Sequence, residues 1–183
     1  MERRALSRAV AVYCGSHSSV PRSYLDLADE VGQGIAARGW TLVWGGSGVS
    51  MMGSVARATR RGGARTVGVI PRALVDLEAA DPDADELIVV DTMRERKREM
   101  DDRANAFLTL PGGLGTCEEL FEVWTSRYLA MHTKPVVLLD PDDHYAGMLE
   151  WVRGLRSRGF VSDVALDALV VARTAEEALA ACA

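Results

Sequence analysis

Short runs of apolar, often β-branched residues alternate along the chain with longer stretches in which apolar positions recur every third or fourth residue. Residues 9–13, 41–44, 66–70, 87–90, 106–110, 135–139 and 169–172 read as strands. Between them the helical spacing predicts helices over 24–38, 51–61, 93–103, 115–128, 145–158 and 175–182. In the first helix Leu25, Leu27, Ala28, Val31, Ile35 and Ala36 supply the apolar face, and Gly39 follows where helices commonly end. Gly62 and Gly63 stop the second helix, Pro71 stops the third strand, and residues 78–86 form an acidic loop. Strand and helix in alternation predict an α/β, Rossmann-like domain: a mostly parallel sheet with helices on both faces. Neither a linker nor a repeat divides residues 1–183, so one nucleotide-binding α/β domain is expected.

Composition narrows the functional classes. The 183 residues are 48% hydrophobic, enough for one sizeable core. A formal net charge of -5 excludes a generally basic nucleic-acid footprint, so a small anion would need a local positive pocket. Three scattered cysteines, Cys14, Cys117 and Cys182, show no zinc spacing and point to a reducing compartment. The arginines of residues 1–8 are not followed by a signal-peptide core, and the apolar runs are too short to span a membrane. A cytoplasmic protein with no metal is the expectation.

Two glycine-rich turns fall at strand ends, each before a helix: Gly45-Gly46-Ser47-Gly48, and Pro111-Gly112-Gly113-Leu114-Gly115-Thr116. Ligands of open parallel sheets sit at the carboxyl ends of the strands. Glycines admit a ligand close to the backbone, and a helix N-terminus offers unpaired N–H groups to an anion. One such turn is equally well a tight connection; two on one rim favour a phosphate site. Glu118 stands where the dinucleotide fingerprint needs a third glycine, and no Gly-Lys-Ser/Thr is present, so dehydrogenase and triphosphatase readings are both weak.

Glu118 and Glu119 open the helix after the second turn, where acids also complement the helix dipole. The 93–103 helix carries Met93, Arg96 or Lys97, and Met100 on one side, an odd stripe for a core and suited to a helix leaning over a pocket. Arg96 would there reach a phosphate or a leaving base, since a guanidinium grips oxygens two at a time. His17 follows the first strand and lies near the same rim, whereas His132 and His144 receive no role. Cys117 reads as a small helix residue and not a nucleophile.

The stretch Pro111-Gly112-Gly113-Leu114-Gly115-Thr116-Cys117-Glu118-Glu119 resembles the P-G-G-x-G-T-x-x-E motif of the LOG (Lonely Guy) family. Those proteins are cytokinin riboside 5′-monophosphate phosphoribohydrolases, often labelled lysine decarboxylases. Cys14-Gly15-Ser16, the 45–53 turn, Ile70-Pro71-Arg72 with Glu78, and Met93-Arg94-Glu95-Arg96-Lys97 resemble further segments of the family, in order. The resemblance spans almost the whole chain. It implies that Arg96 and Glu119 are catalytic, and that Gly112, Gly113, Leu114, Gly115 and Thr116 form the phosphate-binding turn. It further implies that Glu78, Lys97, Glu118 and Thr125 line the nucleotide site, with Gly45, Gly46 and Ser16 on the other strand ends. A nucleoside 5′-monophosphate substrate, a homodimer, and no cofactor are implied as well. Breaking an N-glycosidic bond builds positive charge on the sugar, which a carboxylate stabilises, or the carboxylate polarises the attacking water. The chain departs from the family pattern at Arg94 for histidine, Ser47 for glycine and His17 for serine, and His17 and Ser47 are expected on the ligand rim. A broader AMP or nucleotide nucleosidase, and a protein that binds nucleotide without cleaving it, are the alternatives. Lysine decarboxylation has no support, because no lysine shows a pyridoxal-phosphate context.

Overall fold

A computed structural model describes residues 8–183; of the N-terminal arginines only Arg8 falls among them. Seven strands form one sheet: β1 (Ala9–Tyr13), β2 (Thr41–Trp44), β3 (Thr66–Pro71), β4 (Glu86–Val90), β5 (Ala106–Thr109), β6 (Val136–Leu139) and β7 (Val170–Ala172). Seven helices connect and cover them: α1 (Arg22–Ala37), α2 (Ser50–Arg61), α3 (Met93–Arg103), α4 (Leu114–Tyr128), α5 (Ala146–Ser157), α6 (Asp163–Asp167) and α7 (Ala175–Ala181). The strands lie in the order β4-β3-β2-β1-β5-β6-β7. Every pair is parallel, so the expected "mostly parallel" sheet is wholly so.

The continuous apolar runs are explained by burial on both faces. Along β1, Val10 and Val12 enter the core under α1, α2 and α7, while Ala11 and Tyr13 enter the core under α3, α4 and α5. This is the twofold alternation of a strand read on two buried sides. On the first face α1 and α2 approach closely at Gly32, where a Cβ would stand 2.5 Å from the Val55 carbonyl oxygen.

Boundaries differ from the sequence reading by a residue or two. A single 3-10 turn (Arg72–Leu74) and α6 fall in stretches read as loop. Both are too short to show a helical period. Helix α6 starts at a local signal instead, the Ser162 hydroxyl accepting from the Ala165 N–H at 3.2 Å. Among the described residues no helix is long and apolar enough to cross a membrane.

Chain direction across the sheet reverses between β1 and β5, which run parallel with Tyr13 opposite Thr109. The connections leaving these two strands go to opposite sides and open a crevice at their carboxyl ends. The Gly15 N–H donates to the Pro111 carbonyl at 3.1 Å and ties the two strand ends together at its base.

Candidate active site

The crevice encloses about 460 Å³. The end of β1 and the turn 111–116 form its floor, Met51 and Met52 of α2 one wall, and Met93, Arg96, Glu118 and Glu119 the other. Glu78 closes one end and Tyr24 with His144 the opposite end.

Helix α4 begins without a side-chain cap at Gly113, whereas Thr92 caps α3 and Thr174 caps α7. The first α4 amide with a carbonyl partner in the helix is that of Cys117, on Gly113 O at 3.0 Å. The preceding amides, of Leu114, Gly115 and Thr116, are the groups a helix leaves for an external acceptor. The glycines of this turn do different things. A Cβ on Gly112 would stand 2.2 Å from Thr116 Oγ1, so the turn itself requires glycine there. A Cβ on Gly113 or Gly115 would meet nothing within 4 Å, so these two keep space open above the helix end.

Arg96 is 5% exposed. Its Nε donates to Val69 O at 3.1 Å and its Nη2 to Gly45 O at 2.9 Å, with Glu78 Oε2 3.6 Å from Nη2. The guanidinium therefore stitches the ends of β2 and β3 together and holds a carboxylate beside them. This also accounts for Gly45, where a Cβ would stand 1.9 Å from Nη2. Arg96 was expected to reach out to a ligand; it lines the crevice while most of its donors serve the protein. Lys97 turns away from the crevice and pairs with Glu118 and Glu122 across the neighbouring groove.

Glu119 sits deeper than Glu118. Burial pushes its carboxyl up to about 7; Arg96 and Lys97 oppose the rise, and Glu118 and Glu78 add to it. No hydrogen bond or ion pair engages it among the described residues. A carboxyl that exchanges its proton near neutrality, inside a cleft, is a recurrent property of functional groups.

Ser16 and Gly45 line the crevice as expected. Gly46 does not; its φ of +76° and the close approach of Gly68 make it a structural turn residue. Thr125 is exposed on α4 and lies outside the crevice. Ser47 was expected on the rim but is fully buried, its hydroxyl donating to the Glu78 carbonyl. His17 is on the rim, with Nδ1 accepting the Ser19 N–H at 3.3 Å. His144, assigned nothing from sequence, donates from Nε2 to Gly112 O at 2.9 Å and so braces the phosphate-type turn. Tyr24 lacked any sequence signal, and Met51 and Met52, within the 45–53 stretch that resembles the family, received no role of their own; the tertiary fold brings all three to the strand ends.

The family model described as "Possible lysine decarboxylase" matches residues 52–182. The chain is 56% identical over 174 residues to a Mycobacterium tuberculosis protein named cytokinin riboside 5′-monophosphate phosphoribohydrolase, covering 95% of this chain and 92% of that one. It is 42% identical to the Oryza sativa protein named cytokinin riboside 5′-monophosphate phosphoribohydrolase LOG, covering 96% of this chain and 73% of that one. Among solved structures, the molybdenum cofactor binding protein of Rippkaea orientalis superposes with a TM-score of 0.71 at 21% identity, covering 95% and 94% of the two chains. The molybdenum cofactor carrier protein of Chlamydomonas reinhardtii gives 0.70 at 22% identity, covering 96% and 95%. At such identity these two share the fold alone. The family model and the relatives' identity over nearly the whole chain place it among the phosphoribohydrolases, and the chain belongs to the LOG family.

Proposed function

We propose that the protein hydrolyses the N-glycosidic bond of an N6-modified adenosine 5′-monophosphate, releasing the free base and ribose 5-phosphate. The observation that carries this reading is the 56% identity, over nearly the whole chain, to a protein named for that activity. The uncapped α4 N-terminus and the protonatable Glu119 in one crevice supply matching chemistry.

In this reading the 5′-phosphate lies on the amides at the start of α4, over the space that Gly113 and Gly115 leave open. Glu119, as carboxylate, faces the ribose and stabilises the positive charge that grows as the bond to the base lengthens. Water adds to the anomeric carbon, the base departs with the bonding electron pair, and the water proton passes to a carboxylate or to the base. Arg96 acts from behind: it fixes Glu78 and supplies positive potential to Glu119. Gly112, Thr116 and His144 hold the turn, Glu118 and Ser16 border the ligand, and Lys97 steadies Glu118. Gly45 makes room for Arg96, and Gly46 shapes the turn behind it. Thr125, exposed on α4, is assigned to a site completed across a homodimer contact. The free thiols of Cys14, Cys117 and Cys182 suit the cytoplasm.

Incubation with N6-isopentenyl-AMP, AMP, GMP and CMP, followed by chromatography, tests the proposal. Isopentenyladenine and ribose 5-phosphate formed by the wild type, and not by Glu119→Gln, are the expected result. Faster cleavage of AMP would make the enzyme a broader nucleosidase. Binding without base release would leave it a nucleotide-binding protein.

A further inference from the structure

Glu119 and Tyr13 share an arrangement found nowhere else in the crevice. Both line it, and both also line a second cavity, the groove between α3 and α4 bordered by Lys97, Asp101, Glu122, Ser126 and His132. They form the partition between the two spaces. The Tyr13 ring is 3% exposed and stacks on Phe107, with centroids 6.2 Å apart and planes 9° apart, so its direction is fixed by packing. Its hydroxyl has no hydrogen-bond partner among the described residues.

The donors around Glu119 are otherwise committed. Arg96 donates to Val69 O and Gly45 O and turns its remaining nitrogen to the Met93 sulfur at 3.8 Å. Lys97 is held by Glu118 and Glu122. Asp101, Glu118, Glu122 and Glu78 face the pair as acceptors, and the buried Cys14 thiol beside Glu119 is a weak donor held protonated. Arg94, Arg98 and His132 border the groove. Of the groups around Glu119, Tyr13 is the donor that shares both spaces with it and has no other hydrogen-bond partner among the described residues.

We propose that Tyr13 is a positioning residue for Glu119: its hydroxyl donates to the carboxylate once that group ionises and holds it toward the crevice. The phenol is suited to this because burial and the surrounding carboxylates push its proton affinity well above the usual tyrosine range, so it remains a donor at every working pH. The assignment rests on the phosphoribohydrolase reading for its catalytic consequence, and on geometry for the pair itself.

Tyr13→Phe removes the hydroxyl and keeps the ring on Phe107. The titration of the Glu119 side-chain carboxyl, followed by carbon NMR in wild type and Tyr13→Phe, is the primary test. Loss of a donor to the charged form should raise its midpoint by about one pH unit. The lower limb of kcat/KM against pH should move up by the same amount. At neutral pH kcat should fall about ten-fold, with KM and Tm little changed. Glu119 titrating at the same pH in both proteins overturns the assignment. The titration needs no turnover, so a wild type that releases no base would fell the hydrolase reading while leaving this one to be decided by the NMR midpoint.

Discussion

Glu119 keeps its proton to a pH well above that of an ordinary carboxyl, up to about 7, because burial opposes the charged form more than Arg96 and Lys97 favour it. The sign of the effect on stability follows. The folded carboxyl binds its proton more tightly than the ordinary value of 4.5, up to about 7, so the native state is the better proton acceptor between those limits. Stability contributed by this group is full below that window and is lost as the pH rises through it. Glu119→Gln should therefore be more stable than wild type at pH 8, by about 1–3 kcal/mol, and nearly equal to it at pH 4. Urea melts at the two pH values check this. The same variant should lose turnover by about 100-fold or more, while wild-type kcat/KM rises with pH through about 7. At this scale the sequence was most informative about residue type and least about partners. Arg96 was singled out by its motif, but its grip on two backbone carbonyls was not legible, since Val69 and Gly45 lie far from it in the chain. His144 carried no local signal because its partner, Gly112, is on another connection.

A turn followed by a helix is a unit, and the one at 111–116 separates two uses of glycine that the letters alone do not distinguish. Gly112→Ala sets a methyl against Thr116 Oγ1 at 2.2 Å and should destabilise the fold by about 1–3 kcal/mol. Gly115→Ala places its methyl in open space, on a helix, and should leave the melting temperature unchanged or slightly raised. If the phosphate lies there, the same methyl should raise KM for the nucleotide about ten-fold or more, measurable by steady-state kinetics with thermal melts alongside. An unchanged KM in Gly115→Ala would remove the phosphate from this turn. The long elements were legible because their periodicity runs over many residues. Helix α6 and the 72–74 turn were not, because one turn of helix has no period and is placed by packing and capping, as when the Trp124 indole donates to the Ala165 carbonyl at 2.6 Å.

Across the whole molecule the alternation of strands and helices predicted the class of the sheet, while the strand order required the structure: parallel crossovers of either length fit the same pattern. Among the exposed apolar side chains are Leu114, Tyr128, Leu129 and Met131, on α4 and just beyond it, and Met93 at the crevice. If the proposed homodimer forms and covers some of them, sedimentation equilibrium should return about twice the 19.8 kDa of one chain. A mass of one chain at micromolar concentration would refute the homodimer. The pairing of β1 with β5 has a consequence for how the protein comes into being. Strand β1, made before β5, has one edge that stays bare until residues 106–109 have emerged, because its neighbour on that side is β5. Throughout that interval the floor of the crevice, which includes the 111–116 turn, does not exist. The nascent chain therefore has nothing with which to hold a nucleotide and an open strand edge to shield. A nucleotide site at these strand ends must wait until the turn after β5 closes onto Gly15.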